Sequence, residues 1–467
     1  MPKRNLVILI AVTVSCLLAW LAREHDAQGR RFAEVLTAIE RRYIEPIEKE
    51  HLFEAAMEGM FASLDEHSGF LSGTAQDEFN AMLDQEFGGV GLELAADGER
   101  IVVRKPIARS PAWRAGVRAG DVVESVDGEP IKGQPLEQVI SQLRGPPGTT
   151  VLVGLSAPAR PPDQATLDPT AAQPPIITRS VRLTREQVEM ESVLGDRRLP
   201  DSSWNWWIEG EDGVAIVRII AFGERTASEL HDALSAIAAR HEEGLRGLIV
   251  DLRGNGGGLL DAAIDVCDLF LDSGTIVSTR DGSDFVSSTP ASEGSLLSGV
   301  PIVVLIDGLT ASAAEIVAAC LQDHGRATIV GSRSYGKGTV QTLLPLSDGS
   351  ATMKLTTAEY LRPSMASIHR ATGDDAAATW GVSPLPEHEI TPPRLQTDAA
   401  DAWRQARDAM VFADDRPPCC AAPSRRGMQS LPVTMATDVI PSGRLPREVD
   451  PVLARGLELL TTAAVHR

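Results

Sequence analysis

The stretch Leu248-Ile249-Val250-Asp251-Leu252-Arg253-Gly254-Asn255-Gly256-Gly257-Gly258-Leu259 decides the fold. It starts as a short apolar run, passes through a glycine-rich turn, and enters Leu259 to Leu271, where apolar residues recur at helical spacing. Strand, turn and helix in that order form the unit of an α/β core, and the unit repeats on both sides. Upstream, Val214-Ala215-Ile216-Val217 reads as a strand and Ala227 to Arg240 as a helix; downstream, Ile302 to Ile306 reads as a strand and Ala313 to Leu321 as a helix. The glycine run has three readings: a tight turn, a loop whose N–H groups hold an anion or oxyanion, and a nucleotide loop. A dinucleotide fingerprint fails because Leu259 stands where the third glycine is required.

Before this core, Phe87 to about Val188 reads as short strands punctuated by glycine, and Ser156 to Pro175 as a long exposed loop rich in Pro, Ala and Asp. Gly88, Gly89, Val90, Gly91 and Leu92 form a turn that opens a strand, and Leu136 to Leu143 supplies a flanking helix. Such a turn offers N–H groups to a chain-terminal carboxylate, while the sheet edge pairs with an extended peptide. With Gly120-Asp121-Val122-Val123 and Val126-Asp127-Gly128, the segment resembles the PDZ domain, which implies capture of protein C-termini. Arg30 to Leu83 reads as amphipathic helix interrupted at Pro46, whose apolar stripe suits internal packing or a contact between copies in a homo-oligomer. The Trp204-Asn205-Trp206-Trp207 cluster is expected to serve core packing.

At the N-terminus, Lys3 and Arg4 precede an apolar run from Leu6 to Ala22. Cleavage after Ala22 would put Trp20 where a small residue is wanted, so an uncleaved membrane anchor is expected in preference to a cleaved signal peptide. The basic pair would stay inside, with the rest of the chain beyond the inner (cytoplasmic) membrane, in the periplasm or cell exterior. The 467 residues suffice for several domains, and 44 Lys and Arg against 64 Asp and Glu give a net charge of −20. That balance repels phosphate backbones and excludes nucleic acid as an expected partner. The five cysteines share no paired spacing, no metal-ligand cluster stands out, and no cofactor is expected.

Two further motifs bear on chemistry. Gly331 to Lys337 satisfies most of a phosphate-binding P-loop, but Gly338 replaces the hydroxyl that would hold Mg²⁺, and Thr339 to Leu344 alternates like a strand. Thr310-Ala311-Ser312-Ala313-Ala314-Glu315 joins a strand to a helix, and Ser312 with Glu315 matches a capping box. The same corner suits a nucleophilic serine, because the helix start offers N–H groups to an oxyanion. A serine needs a base, and Lys337 serves if burial lowers its pKa from about 10.4. Gln341, four residues on, is placed to orient that amine.

The runs Asp251–Leu260, Ala311–Val317, Gln322–Val330 and Gly336–Gln341 resemble the carboxyl-terminal processing (tail-specific) serine proteases. Leu64-Asp65-Glu66-His67-Ser68, Lys354-Leu355-Thr356-Thr357-Ala358 and the closing Val449-Asp450-Pro451 extend the likeness. Gly256 stands where many members have proline, Met365-Ala366 where Gly-Arg is usual, and Leu385 where Asp is usual.

The resemblance implies a serine endopeptidase that cleaves near protein C-termini, with Ser312 as nucleophile, Lys337 as base and Gln341 as its helper. The oxyanion hole would use the N–H groups of Gly257 and Ala313. The implied fold is an α/β protease core of the crotonase-like ββα type with an inserted β-rich PDZ domain and an N-terminal helical arm. The expected boundaries are 1–22 for the anchor or signal, 23–86 for the arm, 87–187 for the PDZ domain, 188–395 for the Ser–Lys core and 396–467 for the tail. A non-catalytic PDZ adaptor that binds C-termini at the membrane is the competing function.

Overall fold

The computed structural model describes residues 27–158, 176–240, 244–370, 379–408 and 448–465. These fall into two compact units, one formed by the chain up to Asp77 with Gln341–Thr357, the other by Glu78–Val340 and Ala358 onward. The expected anchor lies outside the described residues, as do most of the 156–175 loop and Cys419-Cys420. Among the described residues no helix is long and apolar enough to cross a membrane.

In the first unit, helices Ala27–Arg42 and Lys49–Phe61 are separated around Pro46. Phe53 lies edge-on to both Phe32 (6.4 Å) and Phe70 (6.0 Å). The arm is not helical throughout. Gly69–Ser72 is a strand, pairing antiparallel with Ala351–Lys354 from Gly69 opposite Lys354 to Ser72 opposite Ala351. Four residues with no buried face carry no period-two signal, so only the distant partner strand makes this segment extended.

The second unit contains two cores. Strands Leu92–Asp97, Arg100–Pro106, Val122–Val126, Thr150–Pro158 and Ile176–Thr184 form one sheet in chain order, with Glu129–Pro130 beside Val122–Val126. Helix Leu136–Leu143 closes it through Val139 and Leu143, which join Val103, Val123, Val153 and Leu155 in one buried cluster. Ser156 belongs to this sheet and is buried, its hydroxyl donating to Glu124 Oε1 at 2.5 Å, so the exposed loop cannot begin there.

The other core is a five-stranded sheet of β1 (Val193–Leu194), β2 (Val214–Ile219), β3 (Gly247–Asp251), β4 (Ile302–Ile306) and β5 (Ala327–Gly331), in that spatial order. β1 is antiparallel to β2 and the rest are parallel. Each parallel step moves the same way across the sheet, so right-handed crossovers put all three connecting helices on one face. These are α1 (Thr226–Ala239), α2 (Leu260–Asp268) and α3 (Ala313–Asp323). Alternate strand residues Ala215, Val217, Leu248, Val250, Val304 and Ile306 face them. Cys267 of α2 and Cys320 of α3 are buried there as free thiols, and Trp206 and Trp207 pack against the same core.

The opposite residues, Ile216, Ile249, Val303, Leu305 and Val330, would face water if nothing covered them. Helix α4 (Arg394–Asp408) lends Trp403 to that face, and α5 (Pro451–Val465) covers it with Val452, Leu453, Leu457 and Leu460. At roughly 1.5–3 kcal/mol per buried aliphatic side chain, α5 is an integral part of this core.

Candidate active site

Parallel strands present their carboxyl ends at one edge, which is where α/β sheets place ligands. Three loops leave that edge: Leu252–Leu259 after β3, Asp307–Ser312 after β4 and Ser332–Gly338 after β5. The first two are tied together by Asp307, whose Oδ1 accepts from the N–H groups of Gly254, Leu309 and Thr310, each at 3.0 Å. Ala311 N–H adds a 2.9 Å bond to the Asn255 carbonyl.

Ser312 is buried and ends the second loop immediately before α3, with φ +56° and ψ −119°. An ordinary capping serine has β-region angles, whereas a non-glycine residue at positive φ costs about 1–3 kcal/mol and persists only where its surroundings enforce it. The enforcing group is Glu315. As the capping-box pattern predicts, its Oε2 accepts the Ser312 N–H at 2.9 Å. The same oxygen also accepts the N–H of Lys337 at 2.8 Å, and Oε1 accepts from Gly336 N–H (2.7 Å) and the Ser334 hydroxyl (2.5 Å). Burial raises the Glu315 carboxyl above its ordinary value, and the four donors pull the other way. With donors on both oxygens, the acceptor-only carboxylate is the form that satisfies all of them. One buried side chain therefore fixes the backbones of Ser312 and Lys337 to a single oxygen atom. The capping-box reading anticipated only half of this, since Ser334, Gly336 and Lys337 carry no local sign of the partnership.

Gly257 lies against the serine. A Cβ built on it would stand 2.7 Å from Ser312 Cβ and 3.1 Å from Ala313 N, and its φ is +105°, so glycine is required at this approach. Gly257 and Ala313, to which the resemblance gives the role of oxyanion donors, lie beside Ser312. The Gly257 N–H, however, donates to Asn255 Oδ1 at 2.8 Å, and the Asn255 amide in turn donates to the Ile219 carbonyl. An oxyanion would compete with Asn255 for that N–H.

Lys337 is half-buried and leads into strand Thr339–Pro345. That strand removes the helix a phosphate loop needs, in agreement with the sequence reading. Gln341 belongs to the first unit, where its amide donates to Thr356 Oγ1 at 3.4 Å. Thr356 Oγ1 donates to Asp65 Oδ1 at 3.0 Å, and Asp65 also accepts the N–H groups of His67 and Ser68.

In the β-rich core, Gly88 and Gly89 end strand Glu86–Gly89, paired with Glu186–Glu189, so the open turn is confined to Val90 and Gly91. Val90 is buried, and Gly91 (φ +75°) accepts bonds from Ile107 N–H and Ser110 Oγ. Leu92 opens the strand at the sheet edge and packs with Leu136 of the flanking helix against the same cluster. An edge strand beside a helix is the arrangement that accepts an added peptide strand.

Residues 213–377 match the model of peptidase family S41, and residues 102–155 that of a PDZ domain. A carboxy-terminal-processing protease from Bartonella bacilliformis is 37% identical over 343 residues, covering 73% of this chain and 72% of its own. A probable CtpA-like serine protease from Staphylococcus haemolyticus is 27% identical over 368 residues, covering 78% and 67%. A solved photosystem II D1 C-terminal processing protease aligns with a TM-score of 0.42 and 28% identity over 81% of this chain and 96% of that one.

Proposed function

Because the chain belongs to the carboxy-terminal-processing proteases of peptidase family S41, which are serine-type peptidases, we propose that it cleaves proteins near their C-termini with a Ser312–Lys337 dyad. The observation that carries this reading is the Glu315 carboxylate, which holds the backbones of both residues while Gly257 closes on Ser312. In the reaction, neutral Lys337 Nζ takes the Ser312 hydroxyl proton as Oγ attacks the scissile carbonyl carbon. The oxyanion binds Ala313 N–H and the Gly257 N–H released by Asn255, each donor being worth about 3 kcal/mol. The Lys337 ammonium then protonates the leaving amine, and water hydrolyses the acyl-enzyme through the same base. Gln341 orients the lysine amine.

The PDZ domain, within 87–187, takes the substrate tail against the edge strand that begins at Leu92, with Gly88 to Gly91 at its carboxylate end. The other proposed boundaries are 23–86 for the arm, 188–395 for the Ser–Lys core and 396–467 for the tail. The one-sided placement of α1 to α3 on the parallel sheet supports the crotonase-like reading of the core. The basic pair before the Leu6–Ala22 run supports an anchor at 1–22 in the inner membrane, with catalysis in the periplasm or exterior. A homo-oligomer would use the apolar stripe of the arm. A non-catalytic adaptor is disfavoured by the retained Ser312, Lys337 and Glu315.

The test is cleavage of an unfolded reporter with an apolar C-terminal tail. Ser312→Ala and Lys337→Ala should each abolish cleavage and leave tail binding intact; equal cleavage by wild type and Ser312→Ala would refute the dyad.

A further inference from the structure

A buried ion network joins the loop after β3 to the last helix. Arg253 is 9% exposed and lies between Asp251 at the end of β3 and Asp450, whose side chains are 4% and 2% exposed. Its guanidinium donates to Asp251 Oδ1 (2.9 Å) and Oδ2 (2.7 Å), and to Asp450 Oδ1 (2.8 Å) and Oδ2 (3.1 Å). Arg404 of α4 adds a second guanidinium, 2.5 Å from Asp450 Oδ2. Asp450 immediately precedes α5 and accepts the Leu453 N–H at 3.0 Å. Its position is therefore set by the helix that Leu453, Leu457 and Leu460 fix to the sheet.

A guanidinium is a rigid planar fork, and two carboxylates gripping it from different sides leave it one orientation. Arg253 is followed directly by Gly254, Asn255, Gly256 and Gly257, so its orientation sets where that loop departs from the sheet. We propose that Asp450, acting through Arg253, is a positioning residue for the loop that carries Gly257, so that the last helix takes part in catalysis as well as in covering the sheet. This rests on the assignment of Ser312 and Gly257 given above. Without the Asp450 carboxylate, Arg253 keeps its charge, loses half its partners and moves to regain them. The loop moves with it, and displacements of about 1 Å at an oxyanion donor cost orders of magnitude in rate.

The test uses the full chain, the tailed reporter and a fluorophosphonate that labels an activated serine. Asp450→Asn should lower kcat by about tenfold or more with KM within about twofold, and labelling should slow in proportion. Leu457→Ala loosens the same helix but keeps the Asp450 carboxylate, and should lower kcat much less than Asp450→Asn, compared at a temperature where both variants are folded. If Asp450→Asn does not fold, Arg253→Lys, which keeps the charge and loses the fork, should show the same kcat-specific loss. Unchanged kcat in whichever of these two variants folds overturns the proposal, as does loss of kcat in Leu457→Ala parallel to that in Asp450→Asn. Cleavage that persists in Ser312→Ala would instead remove the dyad assignment on which the proposal stands.

Discussion

Glu315→Gln isolates the carboxylate that ties nucleophile to base. The substitution keeps the shape and converts one of two acceptor oxygens into a donor. If the new NH₂ replaces Oε2, it faces the Ser312 and Lys337 N–H groups, and two buried donors are orphaned. If it replaces Oε1, it faces Gly336 N–H and the Ser334 hydroxyl, and the hydroxyl is free to rotate and accept. The second arrangement costs less, leaving Gly336 N–H as the principal orphan at about 1–3 kcal/mol. The remaining bonds lose their charge assistance, which brings the expected loss of stability to about 2–4 kcal/mol. Urea unfolding followed by tryptophan fluorescence measures that loss, and fluorophosphonate labelling of the folded fraction reports whether Ser312 stays activated. The expected result is a lower unfolding midpoint together with slowed labelling. An unchanged midpoint with labelling at the wild-type rate would refute the role given to Glu315.

Two further outcomes follow from the geometry of the loop after β3. Gly258→Ala would place a Cβ 1.9 Å from the Phe222 carbonyl oxygen at φ +144°, whereas a Cβ on Gly256 meets nothing within 4 Å. Gly258→Ala should therefore cost about 3 kcal/mol or more in urea unfolding and abolish cleavage, while Gly256→Ala leaves stability within about 1 kcal/mol. Burial alone would raise the Asp450 carboxyl, but the Arg253 and Arg404 charges outweigh it and hold the group below the usual carboxylate range. A depressed folded pKa contributes stability that is present above the unfolded value of 3.8 and lost as pH falls toward the folded one. Unfolding midpoints should thus drop below about pH 4 in the wild type and depend less on pH in Asp450→Asn.

What the sequence discloses and what it hides divide by distance along the chain. The runs of β2, β3 and β4 are apolar on both faces and bounded by glycines or helical spacing, so each is legible within its own dozen residues. Ser312 beside Glu315 is equally local. The strand Gly69–Ser72 is not, because its extension depends on Ala351–Lys354 and its own residues show no alternation. The other three bonds at Glu315 come from 334–337, and the distant partner of Arg253 lies 197 residues away. The Asn255 side chain that occupies the Gly257 N–H is local, but a glycine-rich stretch read for backbone freedom gives no reason to examine the one amide within it. In each case the missed element is a polar group whose partner is chosen by folding, and apolar periodicity does not report on such pairs.

The sheet that carries the site also imposes an order of events on the chain. The parallel pairings β2 with β3 and β4 with β5 join strands consecutive in the chain, whereas Thr275–Asp281 and Val286–Pro290 of another sheet lie between β3 and β4. Helix α5 follows all of these strands in the chain, and only its docking joins Asp450 to Arg253. Without it the part of the sheet face that Val452, Leu453, Leu457 and Leu460 cover is exposed and the charge on Arg253 is half-matched. On the proposal above, the loop that carries Gly257 takes its working position only once α5 has docked, so docking of that helix and maturation of the site are one step.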